Sequence, residues 1–146
     1  MFVTENRAVV DLDVQLRITT TLLKKREREI LAGYGVTPPQ FEALLTLREF
    51  GALTMGELCE KMFLACSTAT DLVDRMERNG LVERVRDKAD RRVVRLRVLE
   101  KGEQVADEVT AARQAQLATV LAPVSLEDKE RLIQSLEHLQ FYLTKS

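Results

Sequence analysis

The sequence predicts a mainly helical α+β fold in which a helix-turn-helix lobe with a small β-hairpin wing is joined to a second, helical region. Three observations lead there. The stretch from Thr54 to Gly102 changes hydrophobic period twice, from a short helical segment and a longer one to two strand-like runs after Gly80. The two helical segments are separated by only a few residues, and the two runs by a charged tip, Lys88-Ala89-Asp90-Arg91. Long segments of three-four apolar spacing flank this stretch on both sides. The expected organisation is an N-terminal helix in residues 1–34, a winged helix-turn-helix lobe in 35–100 and C-terminal helices in 101–146. Two helices across a short turn can present one of them to a DNA major groove, and a charged hairpin beside them can reach a neighbouring groove.

The elements follow in order. Val9, Leu12, Leu16, Leu23 and Ile30 define a long amphipathic helix from about Ala8 to Leu31, ended by Gly33 and Gly35. Such a helix is longer than one small domain covers, so part of its stripe is expected to meet a partner while its second half joins the core. The cluster KKREREI near its end reads as an exposed charged face with no site. Thr37-Pro38-Pro39-Gln40 is a complete helix start, with a capping threonine, proline at the first position and a capping-box glutamine. Phe41, Leu44, Leu45, Leu47 and Phe50 supply its core stripe before Gly51. Thr54 and Glu57 repeat the capping logic for a short third helix ending near Phe63 or Leu64. The fourth helix runs from Cys66 to Asn79, stopped by Gly80, and buries Ala69, Leu72, Val73 and Met76. Leu81–Val85 and Val93–Val98 are antiparallel strands joined by the loop Arg86–Arg92. A fifth helix spans Lys101–Leu121, Pro123 breaks it, and a sixth starts at Ser125 with Leu132, Ile133, Leu136, Leu139 and Leu143 on one side. Apolar helices that follow a domain already possessing a core are most simply used in a homodimer interface, which the first helix would complete.

Charge is distributed unevenly. The net charge is -1, yet Arg84 to Arg97 holds seven basic residues (Arg84, Arg86, Lys88, Arg91, Arg92, Arg95, Arg97) against Asp87 and Asp90, an excess of five, so the rest of the chain is acidic. A polyanion responds to local and not total charge. A solvated charged hairpin is the competing reading of that run. On the fourth helix, Ser67, Thr68, Thr70 and Arg75 share the side away from the apolar stripe with Asp71 and Asp74. Small hydroxyl side chains there can meet phosphates or base edges; alternatively Ser67 caps the helix and the threonines fill surface. Arg91 and Arg92 stand at the hairpin tip, where an arginine can enter a minor groove, and Asp90 is expected to orient a neighbouring arginine through a bidentate pair.

Several classes are disfavoured. The acidic N-terminus lacks the apolar core of a signal peptide and no window has the length of a membrane span, so a soluble, cytoplasmic protein is expected. Cys59 and Cys66 are too few and too local for a disulfide framework and read as free thiols. His138 is the single histidine, and no metal-ligand spacing, glycine-rich phosphate loop or partnered nucleophile occurs, so no metal, cofactor or catalytic residue is assigned and an enzyme is not expected.

The segment LVERVRDKADRRVVRLRVLEKG, preceded by STATDLVDRMERNG, resembles the MarR family of bacterial winged helix-turn-helix transcription regulators. The match spans nearly the whole chain: long first helix, reading helix ending in DRMERNGLV, D-x-x-D-R-R wing and two long C-terminal helices. The resemblance implies a sequence-specific DNA-binding regulator, a repressor acting as a homodimer on a pseudo-palindromic operator with half-sites about 10 to 10.5 base pairs apart or a multiple of that. It places Asp90, Arg91 and Arg92 in the wing motif and Ser67, Thr68, Thr70 and Arg75 on the major-groove helix, with Arg84, Arg86 and Lys88 adding positive charge. Asp71 and Leu99 depart from the family pattern: a basic or neutral residue is common early in the reading helix, and a threonine before the Glu-Lys-Gly triplet. A small aromatic or anionic effector, bound between the dimer helices and the DNA-binding lobe, is the implied input. A thiol-based redox regulator using Cys66, placed at a helix N-terminus, is an alternative, although the family's redox branch carries its thiol on the first helix and this chain has none there. Two further alternatives are a winged-helix protein-interaction module without DNA binding and a small-molecule-binding protein without DNA output.

Overall fold

The computed structural model describes residues 2–145. Among them, six helices and three short strands follow the order α1 (Phe2–Ala32), α2 (Pro38–Phe50), β1 (Leu53–Thr54), α3 (Met55–Met62), α4 (Cys66–Arg78), β2 (Val82–Arg86), β3 (Val94–Val98), α5 (Glu100–Val120) and α6 (Leu126–Lys145). The architecture is mainly helical with an antiparallel β-hairpin wing, as the hydrophobic periods indicate. Two compact units divide it, Met1–Ala111 and Ala112–Ser146.

In the first unit, α1 begins at Phe2, six residues before its apolar period does. Val9, Leu12, Leu16 and Leu23 are exposed, and among the described residues of α1 only Ile30 and Leu31 near the C-terminal end join the core. The expected core role of the second half of α1 is thus confined to its last turn. Helix α2 opens with the full capping box: the Thr37 hydroxyl accepts from the Gln40 N–H and the Gln40 side chain accepts from the Thr37 N–H at 3.1 Å. Phe41, Leu44 and Leu47 are buried, but Phe50 is not; it lies at the surface with the Lys61 ammonium 3.8 Å above its ring.

The strand β1 has no counterpart in the sequence reading, since two residues are too few to show alternation. Leu53 pairs with Leu96 and Thr54 with Arg95, so β3 is central and the sheet order is β1-β3-β2. Thr54 also caps α3, accepting from the Glu57 N–H at 3.2 Å. One residue therefore closes a sheet edge and starts a helix. In the wing, Val82 faces Val98 and Arg86 faces Val94. Strand β2 is shifted by one residue from the expected Leu81–Val85, and β3 starts one residue later than expected and ends at Val98 as expected.

Leu58, Val73, Met76, Leu81, Val82 and Leu96 bring α3, α4 and the sheet onto Phe41 and Leu44 of α2, and Val105, Ala106 and Val109 of α5 complete the core. Two backbone positions control this packing. At Gly80 the chain turns through φ 73° and the Leu81 N–H bonds back to the Met76 carbonyl, ending α4 and starting the wing. At Gly102 the helix surface is pressed so closely to the lobe that a Cβ would stand 2.3 Å from the Leu81 carbonyl oxygen and 2.8 Å from a Val98 methyl.

The turn between α3 and α4 is unusual in the opposite sense. Phe63 takes the left-handed conformation, φ 56°, that glycine normally supplies at a helix end, and its side chain is 95% exposed. In the second unit, no residue of α6 is buried; Leu132, Ile133, Leu136 and Leu143 of α6, and Leu117 and Val120 of α5, are exposed. The Ser125 hydroxyl accepts from the Asp128 N–H and caps α6. Among the described residues no helix is long and apolar enough to cross a membrane.

Two stability predictions follow from backbone geometry alone. Gly102→Ala would gain helix propensity on an open helix, yet here the carbonyl contact dominates and the variant should lose about 2 kcal/mol or more in urea denaturation. Phe63→Gly should gain about 1 kcal/mol in the same measurement, because it relieves a left-handed backbone while removing no buried contact.

Candidate nucleic-acid interface

Helix α4 buries Ala69, Val73 and Met76 against the core and leaves Ser67, Thr68, Thr70, Asp71 and Arg75 exposed on the other side. Its N-cap is Ala65 and no side chain caps it, so Ser67 does not serve as the cap; it lies within the first turn. The Thr70 hydroxyl donates to the Cys66 carbonyl at 2.8 Å, which fixes its orientation on the exposed face. Thr68, Asp71 and Arg75 also line a cleft of about 400 Å³ whose other wall is the start of α2, at Thr37, Pro39 and Gln40.

The wing's basic residues divide into two groups. Arg84 is the strut between wing and reading helix: its side chain donates to Asp74 at 2.7 Å and to Glu77 at 2.8 Å, while its backbone N–H donates to Glu77 as well. The bond to Asp74 raises its already high pKa against the opposing effect of burial, and the side chain is 29% exposed. Arg95 ties the sheet to the start of α3, donating to the Ala52 carbonyl at 3.3 Å and to Glu57 at 3.5 Å, with Asp87 at 3.8 Å. Hydrogen bonds from Thr54, and then the charge of Arg95, hold the Glu57 carboxyl below its ordinary value. Arg97 pairs with Glu83 across the two strands.

At the tip, Arg92 forms the bidentate pair expected for Asp90, with Nε 3.2 Å from Oδ1 and a terminal nitrogen 3.4 Å from Oδ2, and its backbone N–H also bonds Asp90. These bonds hold the Asp90 carboxyl below the usual aspartate value. The Arg92 side chain remains 92% exposed, so the carboxylate aims it without covering it. Arg86 donates to the Arg91 carbonyl at 2.9 Å and braces the loop from within. Among the described residues, Arg86, Lys88 and Arg91 take part in no ion pair, whereas Arg84, Arg92, Arg95 and Arg97 do.

The sequence reading missed the acidic partners Glu57, Asp74 and Glu77, which sit seven to 38 residues from the arginines they hold and leave no local signal. It also assigned no site to the KKREREI cluster. Lys24 and Arg28 from that cluster line a cleft of about 680 Å³ with Glu42 of α2 and Lys61, Phe63 and Leu64 around the end of α3. The cleft lies between the long first helix and the helix-turn-helix.

A β-hairpin wing beside a helix-turn-helix, with hydroxyls on the exposed face of the second helix and cations at the hairpin tip, defines a winged-helix DNA-binding protein. The family model described as MarR family matches residues 36–94. The HTH-type transcriptional regulator YsmB of Bacillus subtilis is 48% identical over 132 residues, 90% of either chain. The HTH-type transcriptional repressor MdtR of the same organism is 34% identical over 119 residues, 80% of this chain and 76% of the relative. A solved MarR family protein from Bacillus stearothermophilus superimposes with a TM-score of 0.89 at 53% identity, covering 95% of this chain and 97% of that one. The chain belongs to the MarR family of winged helix-turn-helix transcriptional regulators, which are DNA-binding proteins and not enzymes.

The Arg84 strut generates a prediction. Arg84→Met keeps the aliphatic stem but leaves Asp74 and Glu77 without their cation; with the pair's partial solvent screening discounted, the loss of stability in urea should be about 1 kcal/mol.

Proposed function

We propose that this regulator acts as a homodimer on a pseudo-palindromic operator as a repressor, and that a small aromatic anion releases it. The observation that carries the DNA reading is the pairing, in one compact unit, of an uncapped α4 whose exposed face bears Ser67, Thr68, Thr70 and Arg75 with a wing tip on which Asp90 aims Arg92 outward. The first turn of α4 offers N–H groups to a phosphate while the hydroxyls meet base edges. Arg92 enters the minor groove, and Arg86, Lys88 and Arg91 neutralise phosphates. Arg84 acts in this scheme as part of the frame, since its charge is already engaged by Asp74 and Glu77.

The unburied apolar residues of α1, α5 and α6 support the dimer. The word repressor in the name of MdtR supports the sign of regulation. The effector is assigned to the 680 Å³ cleft, where Lys24, Arg28 and Lys61 outnumber the carboxylates Glu27 and Glu42 by one and so favour an anion, and Phe63 and Met62 suit a ring.

Selection from a random DNA pool should return an inverted repeat with half-sites about one or two helical turns apart, and unrelated or unrepeated sequences would refute the dimeric operator. On the selected site, Arg92→Ala should weaken binding about tenfold or more, and Lys88→Ala or Arg91→Ala should each lower the salt slope by about one. Wild-type affinity in Arg92→Ala would refute the wing assignment. Benzoate, as the probe, should dissociate the complex at lower concentration for the wild type than for Lys24→Ala; equal sensitivity would place the effector elsewhere.

A further inference from the structure

Helix α4 carries three carboxylates, Asp71, Asp74 and Glu77, and the wing engages only two of them. Arg84 holds Asp74 at 2.7 Å and Glu77 at 2.8 Å. Asp71 is exposed, and its side chain makes no hydrogen bond or ion pair among the described residues; neither does that of Arg75, one turn further on. As the sixth residue of α4, Asp71 also stands beyond the first-turn N–H groups that a carboxylate could cap. The fold therefore makes no use of this acid.

Its place on the helix is nevertheless central. Thr68, Asp71 and Arg75 line one cleft and so share a face, and Ser67 lies one turn before Asp71 as Arg75 lies one turn after it. Ser67 and Thr68 are small, which lets a side chain as short as aspartate come close to whatever that face meets. If the face met phosphates alone, an unpaired carboxylate at its middle would repel the ligand without recompense, because the groove strips its water and offers no counter-charge. The carboxylate is tolerable only where a donor stands opposite it.

We propose that Asp71 is a specificity-determining residue that accepts a hydrogen bond from the amino group of a cytosine in each half-site of the operator. This inference rests on the DNA-reading role assigned to α4 and names a base that the role leaves open. An ionised carboxylate accepts and cannot donate. In the major groove guanine shows two acceptors and thymine an acceptor and a methyl group, so both repel it; adenine shows an amino donor beside the N7 acceptor; cytosine shows the amino donor N4 and no acceptor of its own. Cytosine is the base that fits. Residues one turn apart stand about 6 Å apart along the helix axis, whereas base pairs are spaced about 3.4 Å, so Ser67, Asp71 and Arg75 address different base pairs. The effect of Asp71 is thus confined to one position of each half-site.

The test compares the sequences that the full-length wild type, Asp71→Ala and Asp71→Asn select from one random DNA pool. The wild type should return cytosine at one position of each half-site. Asp71→Ala should lose the preference there and keep the rest of the motif, and Asp71→Asn should change it to adenine, since an amide pairs with N6 and N7 together. On the selected site, replacing that cytosine by thymine in both half-sites should weaken wild-type binding about tenfold or more, and Asp71→Ala binding by about twofold or less. Neither variant removes a bond within the protein, so urea midpoints equal to that of the wild type should accompany these changes. A motif without the cytosine, the same cytosine in the Asp71→Ala pool, or an equal loss of affinity in the two proteins would each overturn the proposal while leaving the DNA reading intact. A wild type that enriches no motif at all would count against the DNA reading itself and would remove the proposal with it.

Discussion

The missing Cβ of Gly102 is the constraint on which the DNA-binding lobe depends. Three segments converge there: the end of α4, the start of β2 and the first turn of α5. The Leu99 N–H bonds the Leu81 carbonyl at 2.9 Å, and the Lys101 ammonium bonds the Asn79 carbonyl at 2.8 Å. Both contacts require α5 to lie flat against the turn at Gly80, and a methyl group at position 102 would occupy the place of the Leu81 carbonyl. Leu99 cannot cap α5 with its side chain, but here its N–H and carbonyl are both engaged, the carbonyl by the Glu103 N–H. Arg48 then ties α2 to the same helix through Glu103 and Asp107. The C-terminal end of the reading helix is thereby fixed to the helix that leaves the lobe.

With that end fixed, electrostatics sets the angle between reading helix and wing. Arg84 joins β2 to Asp74 and Glu77 of α4, and Arg95 joins β3 to Glu57 at the start of α3. An acidic protein can therefore still present a cationic edge. The carboxylates of α3 and α4 neutralise the arginines at the base of the hairpin, where charge would otherwise repel itself, and the tip retains Arg86, Lys88 and Arg91. Asp90 subtracts one charge from that tip but orders Arg92, which favours a directed contact over a diffuse attraction. The acidic residues of α4 itself, Asp74 and Glu77, face this frame, which leaves Asp71 as the carboxylate that shares the exposed face with Thr68 and Arg75.

What the sequence made legible was whatever repeats locally. Capping boxes at Thr37 and Thr54, the stop at Gly80, the alternation of the wing and the aspartate–arginine pair at its tip all act within a few residues, and each stands within one residue of where its pattern put it. What escaped depended on distant segments. Strand β1 exists only because β3 offers Leu96 and Arg95 as partners. Phe50 obeys the period of α2 but emerges beyond the end of the core, and its position shows only once Lys61 is beside it. The charge excess from Arg84 to Arg97 looked uniform in sequence, because partners as far away as Glu57 decide which of those charges are free. Lys24 and Arg28 read as surface, since only the fold brings α1 across from the end of α3.

The α3–α4 turn is where these threads meet. It carries a non-glycine residue in a left-handed conformation, a cost of about 1 to 3 kcal/mol that neighbouring contacts must offset. Phe63 and Leu64 form part of the 680 Å³ cleft, and Cys59 and Cys66 bracket the same turn. On the proposed reading a ring in the cleft is an input that acts on this element. Since Gly102 and its neighbours immobilise the far end of α4, displacement at the turn cannot slide the helix along its axis and has to swing its N-terminus. That is the end bearing Ser67 and Thr68. A strained turn at the free end of an anchored reading helix is thus a place where a small local change alters DNA contact while the core keeps its packing.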